Sequence, residues 1–282
     1  FFFLIELTRS LASLHGVLTS SIAFERRRQA GERWDQTMRS AAALGCLLCM
    51  ASVWSLHTDE GATPAAPWDL QFVNTFTKSL PGEAGGPQIP DFPRETPGAM
   101  WAKATTTPLF PQASLLSFSR GAADLLGLPA GVEKEELFRQ FVTGEKTLNV
   151  SYAHCYGGHQ FGYWAGQLGD GRAINLGEVL APSGETLELQ LKGAGITAYS
   201  RRADGRAVLR SSVREFVASE FMHAAGVPTS RALSLAGTSA GVVLRDQFYD
   251  GNARMEPGAV VLRMAPTWVR FGSFEVLAAR KK

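Results

Sequence analysis

Cysteine is scarce: the 282 residues hold three, Cys46, Cys49 and Cys155. Three thiols cannot build a disulfide framework, and Cys155 is too far along the chain to supply the second pair of a zinc site. The C-x-x-C spacing of Cys46 and Cys49 lies inside the apolar run GCLLCMA rather than at a strand-to-helix turn, so it reads as a chance pair in a hydrophobic segment. Little cysteine also favours a reducing compartment. An excess of one charge is missing too. The formal net charge of +2 does not by itself imply a nucleic-acid partner, although local clustering can still make an anion site. No internal repeat is present, and the apolar runs are short for a membrane span. With 45% hydrophobic and 19% charged residues, the chain has the composition of a globular protein with at least one sizeable core.

The chain opens on Phe1 rather than methionine, which marks residues 1–60 as an upstream extension with Met38 as the candidate start. From Met38 the run MRSAAALGCLLCMASVWSL has one arginine and meets no acid until Asp59, the layout of a cleavable targeting segment. The scarcity of cysteine points this segment to the mitochondrion. Its single arginine leaves a secretory signal as the alternative. Residues 61–150 form a Pro/Gly-rich lead-in with short helices, and ordered structure is expected from about Trp68. Within the lead-in, SLLSFSRGAADLLGLP and VEKEELFRQFVTG have helical apolar spacing and predict two short amphipathic helices broken at Gly127–Pro129.

Residues 151–282 carry the chemistry. A glycine-rich turn, GQLGDG from Gly166 to Gly171, precedes a predicted strand Arg172–Val179, a turn at Pro182–Gly184 and a second strand, ETLELQLK. Alternation in the second strand puts Leu187, Leu189 and Leu191 on one face and Glu188, Gln190 and Lys192 on the other. Lys192 thus overlooks the glycine turn. Such turns can leave backbone N–H groups open to phosphate oxygens, with a neighbouring lysine as the anchoring charge. An ordinary hairpin turn uses the same residues.

After Lys192 the loop GAGITAYSRRADGR leads into a predicted helix. Its apolar positions Val213, Phe216, Val217, Phe221 and Ala224 recur at helical spacing, and it ends at Gly226 with Pro228 beyond. Glu215, in its first turns, is open to two readings: the partner that holds a phosphate-anchoring lysine, as in protein kinases, or the third residue of a Ser212-x-x-Glu215 capping box. RALSLAG, GVVLRD and GAVVLRMAP predict three more strands, with Arg263 and Arg270 on and just past the last. The fold class is therefore α+β: a protein-kinase-like small lobe, an antiparallel sheet with a glutamate-bearing helix, preceded by helical and extended segments. Arg202, Arg206, Arg210 and Arg214 would line up as a stripe for RNA or another polyanion if the helix began early, although Asp204-Gly205 argues for a loop there. His154 and His159 flank Cys155 with no further ligands nearby in sequence, and read as core or loop histidines rather than a metal site.

The segments GGHQFGYWAGQLGDGRA, LQLKGAG with the following YSRR, DGRAVLRSSVREF and VVLRMAPTWVRFGSFE are long and unusual in composition, and over about Trp68 to Arg280 the chain resembles the selenoprotein O family. The chain has Val73 where that family usually has an aspartate. The resemblance implies a kinase-like fold that binds ATP in a flipped orientation and transfers AMP to Ser, Thr or Tyr hydroxyls of protein substrates. By position in the motifs it implies that Gly169, Gly171 and Arg172 contact the nucleotide, that Lys192 binds phosphate and pairs with Glu215, and that Asp204, Gly205, Arg263 and Arg270 complete the site. It further implies that the aspartate base and the Mg2+ ligands sit in a large lobe further along than Lys282. The expectation for the 282 residues is a lobe without its partner lobe, with no metal ligands and no catalytic activity alone. The competing readings are a non-catalytic ATP- or partner-binding short isoform and the RNA-binding module.

Overall fold

The computed structural model describes residues 68–84 and 92–280. The segment after Met38 and the Cys46/Cys49 pair lie outside the described residues. Residues 65–282 group as one compact unit.

Its centre is a hairpin. β5 (Ala173–Leu180) and β6 (Thr186–Lys192) run antiparallel with Ala173 opposite Lys192, joined by the turn at Pro182–Gly184, where Gly184 takes φ 84°. The leucines of β6 enter a core with Ile174, Leu176, Leu262 and Met264. The same cluster takes Phe138 and Phe141 from a short helix, α3 (Glu136–Thr143), and Trp68 packs on both rings at 5.6 and 5.5 Å. Glu188 and Gln190, on the opposite face of β6, are buried as well, so this strand has no solvated face.

Among the described residues nine strands form one sheet in the order β1-β3-β5-β6-β9-β8-β2, with β4 on β3 and β7 on β9, and all ladders between these strands are antiparallel. The lead-in supplies two of them, β1 (Trp101–Lys103) and β2 (Ser114–Phe118), after the short helix α1 (Thr75–Ser79). Ser114–Phe118 was expected to be helical and is instead an edge strand against β8, Ser114 opposite Gly237. Its apolar spacing fits either state, and pairing with an open sheet edge decides it. The helix begins one step later: Ser119 accepts from the Ala122 N–H and caps α2 (Arg120–Leu125), and a 3₁₀ turn (Val132–Lys134) precedes α3.

Three further expectations are corrected. The glycine-dense stretch after Ser151 is a hairpin, β3 (Tyr152–Gln160) and β4 (Tyr163–Gly169), turning at Phe161 (φ 54°) and Gly162 (φ 85°), so most of GQLGDG is strand and the bend narrows to residues 170–172. RALSLAG and GVVLRD are one bulged strand, β8 (Arg231–Arg245), against β9 (Arg254–Ala265). After β7 (Ala207–Val208), the helix α4 (Leu209–Ala224) has Val208 as its N-cap residue, which puts Ser212 and Glu215 inside the helix and removes the capping box. Arg202 and Arg206 lie before the helix, so no four-arginine stripe forms.

α4 ends with Gly226 at φ 75°, its N–H donating to the His223 carbonyl. The apolar stripe expected along it does not face the core. Phe216 alone of that stripe is buried, against Ala232, Leu235, Ala259 and Val261, whereas Val213, Val217 and Phe221 are 42%, 58% and 66% exposed. The last element is α5 (Phe271–Ala279), which starts just after Arg270.

Candidate functional site

Where β4 turns into β5, two glycines are required by crowding. A Cβ on Gly169, at φ 152°, would lie 2.3 Å from the Tyr199 ring, and one on Gly171 would lie 2.7 Å from the Tyr199 carbonyl. The loop that presses on them is tied down: Thr197 Oγ1 donates to the Asp170 carbonyl at 2.7 Å, and Ser200 Oγ donates to that of Gly171. Two of the bend's amides are occupied, Asp170 N–H by the His154 carbonyl at 3.0 Å and Gly171 N–H by that of Gly169 at 2.9 Å. The glycines thus serve close approach of the 197–200 loop rather than a ring of free amides, and the bend presents the Arg172 side chain to the cavity.

Lys192, the last residue of β6, reaches Glu215 of α4, with Nζ 2.5 Å from Oε2. The other carboxylate oxygen accepts from Arg263 Nη1 at 2.9 Å. One glutamate therefore holds two cations that belong to adjacent strands. Burial pushes the Lys192 pKa below the usual lysine range, the Arg263 charge pushes the same way, and Glu215 opposes both. Arg263 also donates from Nε and Nη2 to Gln190 Oε1, and its guanidinium lies over the Trp268 ring at 4.3 Å.

Arg270 stacks on Tyr156 at 4.2 Å, donates from Nε to the Trp268 carbonyl at 3.2 Å and approaches Asp170 Oδ1 at 3.5 Å. Burial, and then the Asp170 charge, push the Tyr156 hydroxyl up to about 12. Across the cavity, Asp204 accepts both terminal nitrogens of Arg245 at 2.7 Å and the Arg206 N–H at 3.0 Å. Burial alone would raise the Asp204 carboxyl; the Arg245 hydrogen bonds and charge together with the Arg206 N–H outweigh it and hold the group below the usual range. Gly205 sits at φ 68°, where a Cβ would meet the Gly195 backbone at 2.1 Å, so a side chain has no room.

These groups surround one cavity of about 750 Å³. Gly169, Gly171, Arg172, Lys192, Asp204, Gly205, Arg263 and Arg270 all line it, and Glu215 stands behind Lys192. Sequence reasoning missed Arg201 and Arg245 as lining residues, and considered Arg202 and Arg206 only for a polyanion stripe that the loop at Asp204-Gly205 argued against. The YSRR and DGR segments carried a signal for three of these. Arg245 had none, because β8 brings it in from afar. Gln190 was legible only as the polar position two residues before Lys192, and nothing in the sequence singled out the Trp268 ring.

The lining holds eight cationic side chains, seven arginines and Lys192, against two carboxylates, Asp170 and Asp204. Such a wall is built for a polyanion. Asp170 already accepts from Gln190 at 3.1 Å as well as facing Arg270, Asp204 is occupied by Arg245, and among the described residues no three His, Cys, Asp or Glu side chains are grouped to hold a metal. His154 is buried against Glu188, and His159 meets Trp164 edge-on at 5.3 Å.

The family model for protein adenylyltransferase SelO matches residues 93–282. A protein nucleotidyltransferase YdiU from Azoarcus sp. (strain BH72) is 54% identical over 213 residues, 75% of this chain and 40% of that protein. Its namesake in Cytophaga hutchinsonii is 52% identical over 214 residues, covering 74% and 40%, and that of Nitrosospira multiformis is 49% identical over 217 residues, covering 76% and 38%. The chain spans about 40% of the length of these relatives. The lysine–glutamate pair, the arginine-walled cavity and the family match converge, and the chain belongs to the SelO family of protein adenylyltransferases.

Proposed function

We propose that the cavity grips the polyphosphate of ATP, and that the chain forms the nucleotide-binding part of an enzyme that transfers AMP to Ser, Thr or Tyr hydroxyls of proteins. The observation that carries this reading is the cationic cavity centred on Lys192, with Glu215 joining Lys192 to Arg263.

The chemistry suits that arrangement. A hydroxyl attacks the α-phosphorus, the bond to the bridging oxygen breaks and pyrophosphate departs, so negative charge builds on the bridging and terminal oxygens. Lys192, Arg263 and Arg270 come from three different elements and are each held by a second group, so they can meet that charge without reorganising. Glu215 and Gln190 fix the direction of the Arg263 guanidinium, and Tyr156 supports that of Arg270.

Because the carboxylates here are already engaged, we place the general base and the Mg2+ ligands in the portion of the relatives that this chain does not span. The 282 residues are then expected to bind ATP and to transfer no AMP alone. Calorimetry with ATP, and an assay with ATP labelled at the α-phosphate, test this together. Absence of ATP binding, or binding that survives Lys192→Ala unchanged, overturns the reading; label on protein overturns the placement of the base. The polyanion alternative loses its arginine stripe, since Arg210 is bound to Glu256 at 2.6 Å and Arg202 and Arg206 face the cavity. We also propose a mitochondrial address for the segment after Met38, to be tested by import of a fusion that starts there.

A further inference from the structure

We infer that Glu188 is a positioning residue that sets Arg263 and Arg270 on the phosphates by clamping Trp268. The inference rests on the nucleotide reading above and goes beyond it, because Glu188 does not line the cavity.

Glu188 sits on β6 opposite Ala265, the last residue of β9, where the chain leaves the sheet towards α5. Between the end of β9 and Arg270 the chain runs through Pro266, Thr267, Trp268 and Val269, and Pro266 and Thr267 are exposed. Val269 packs on the cluster of Phe76, Met100 and Tyr152, and Trp268 ties this stretch to β6. Its backbone N–H donates to Glu188 Oε2 at 2.9 Å and its indole Nε1–H donates to the Glu188 carbonyl at 3.1 Å, so one residue holds it at two points. Trp268 passes the constraint to both guanidiniums: its ring lies under Arg263 at 4.3 Å, and its carbonyl accepts Arg270 Nε at 3.2 Å.

The clamp is anchored from behind. Glu188 Oε1 accepts from the Tyr152 hydroxyl at 2.8 Å and from His154 Nε2 at 2.7 Å, and His154 stacks on Phe76 at 4.0 Å. Tyr152, His154 and Glu188 are each 1% exposed. Burying a carboxylate this deeply is costly, and a hydrophobic residue of similar volume would fill the space at least as well. The geometry accounts for a carboxylate there: it alone supplies enough acceptor sites to fix Tyr152, His154 and the Trp268 amide at once.

A purely structural glutamate and a positioning one differ in what its loss does to ligands with different numbers of phosphates. The test measures dissociation constants of the purified chain for ATP, ADP, AMP and adenosine in wild type, Glu188→Gln, Trp268→Leu and Trp268→Phe. Glu188→Gln and Trp268→Leu are expected to weaken ATP about 10-fold, AMP about 2-fold and adenosine not at all, since only phosphates meet the arginines. Trp268→Phe keeps the backbone amide and an aromatic face under Arg263 but loses the indole bond to Glu188, and is expected to fall between wild type and Trp268→Leu. Equal losses for all four ligands, or unchanged ATP binding, overturn the inference. Trp268 is only partly buried, so its variants decide the matter if Glu188→Gln does not fold.

A second arm needs no nucleotide. The Nε–H resonances of Arg263 and Arg270 are expected to shift and broaden in Glu188→Gln and Trp268→Leu, and unchanged signals overturn the clamp. Wild type that fails to bind ATP would sink the proposed function and leave this second arm to judge Glu188 by itself.

Discussion

β6 and α4 each provide one half of the Lys192–Glu215 pair, yet the structure treats their apolar residues in opposite ways. β6 is buried on both faces, leucines into the apolar core and Glu188 and Gln190 into a polar network. α4 buries only Ser212 and Phe216, with Glu220 tied to Arg231 at its side, while Val213, Val217 and Phe221 stay largely exposed. Periodicity identifies which side chains share a face. It does not say whether that face is covered, and a polar face can be as buried as an apolar one when its groups satisfy each other.

The largest effects should come from the anchors. Leu189→Ala, at a fully buried position of β6, is expected to cost about 2–5 kcal/mol and Phe216→Ala about 3–5 kcal/mol, read from urea unfolding. If Phe216→Ala costs much less, α4 is held by something other than its buried line. Lys192→Ala should come next: ATP affinity is expected to fall at least about 10-fold by calorimetry, with the fold retained because Glu215 keeps Arg263.

A smaller effect belongs to Asp204. Its pKa is lowered in the folded state, so the stability contributed by the Asp204–Arg245 pair is fully present above the usual aspartate range and is lost as pH falls through that range to the lowered folded value. The pair is partly exposed, so the loss should stay below about 1 kcal/mol, and comparison of acid unfolding curves for wild type and Asp204→Asn should show the two converging at low pH. The smallest effect is expected from the open face of α4. Val217→Ser with Phe221→Ser should change unfolding free energy by no more than about 0.5 kcal/mol, and a larger loss would show that this face is covered in the folded chain.

Much of the centre was legible from residue pattern alone. The strict alternation of ETLELQLK and its glycine-bounded neighbour placed β5 and β6 within a residue of where they lie, and the helical run before Gly226 placed α4. Ser114–Phe118 was not legible as a strand, because its state depends on the free edge of β8. At the site, element order placed Lys192 beside the glycine turn and left Glu215 open between an ion pair and a helix cap, with the resemblance implying the pair, but the reason for the glycines was not legible. Their constraint is the 197–200 loop pressing on the bend, a contact across some thirty positions of chain.

By itself the amino-acid sequence determined the elements whose signals are local: strand alternation, helix ends and the long motifs that mark the family. Only the tertiary structure decided what lies behind and across from each of them. Arg245 joins the cavity through β8, Trp268 becomes a support for Arg263, and Glu188, read only as a polar position beside Gln190 and Lys192, is buried with its carboxylate on the Trp268 amide. The reason is that burial and hydrogen-bond partnership belong to pairs of residues distant along the chain, and a one-dimensional pattern carries no information about which distant pair will meet.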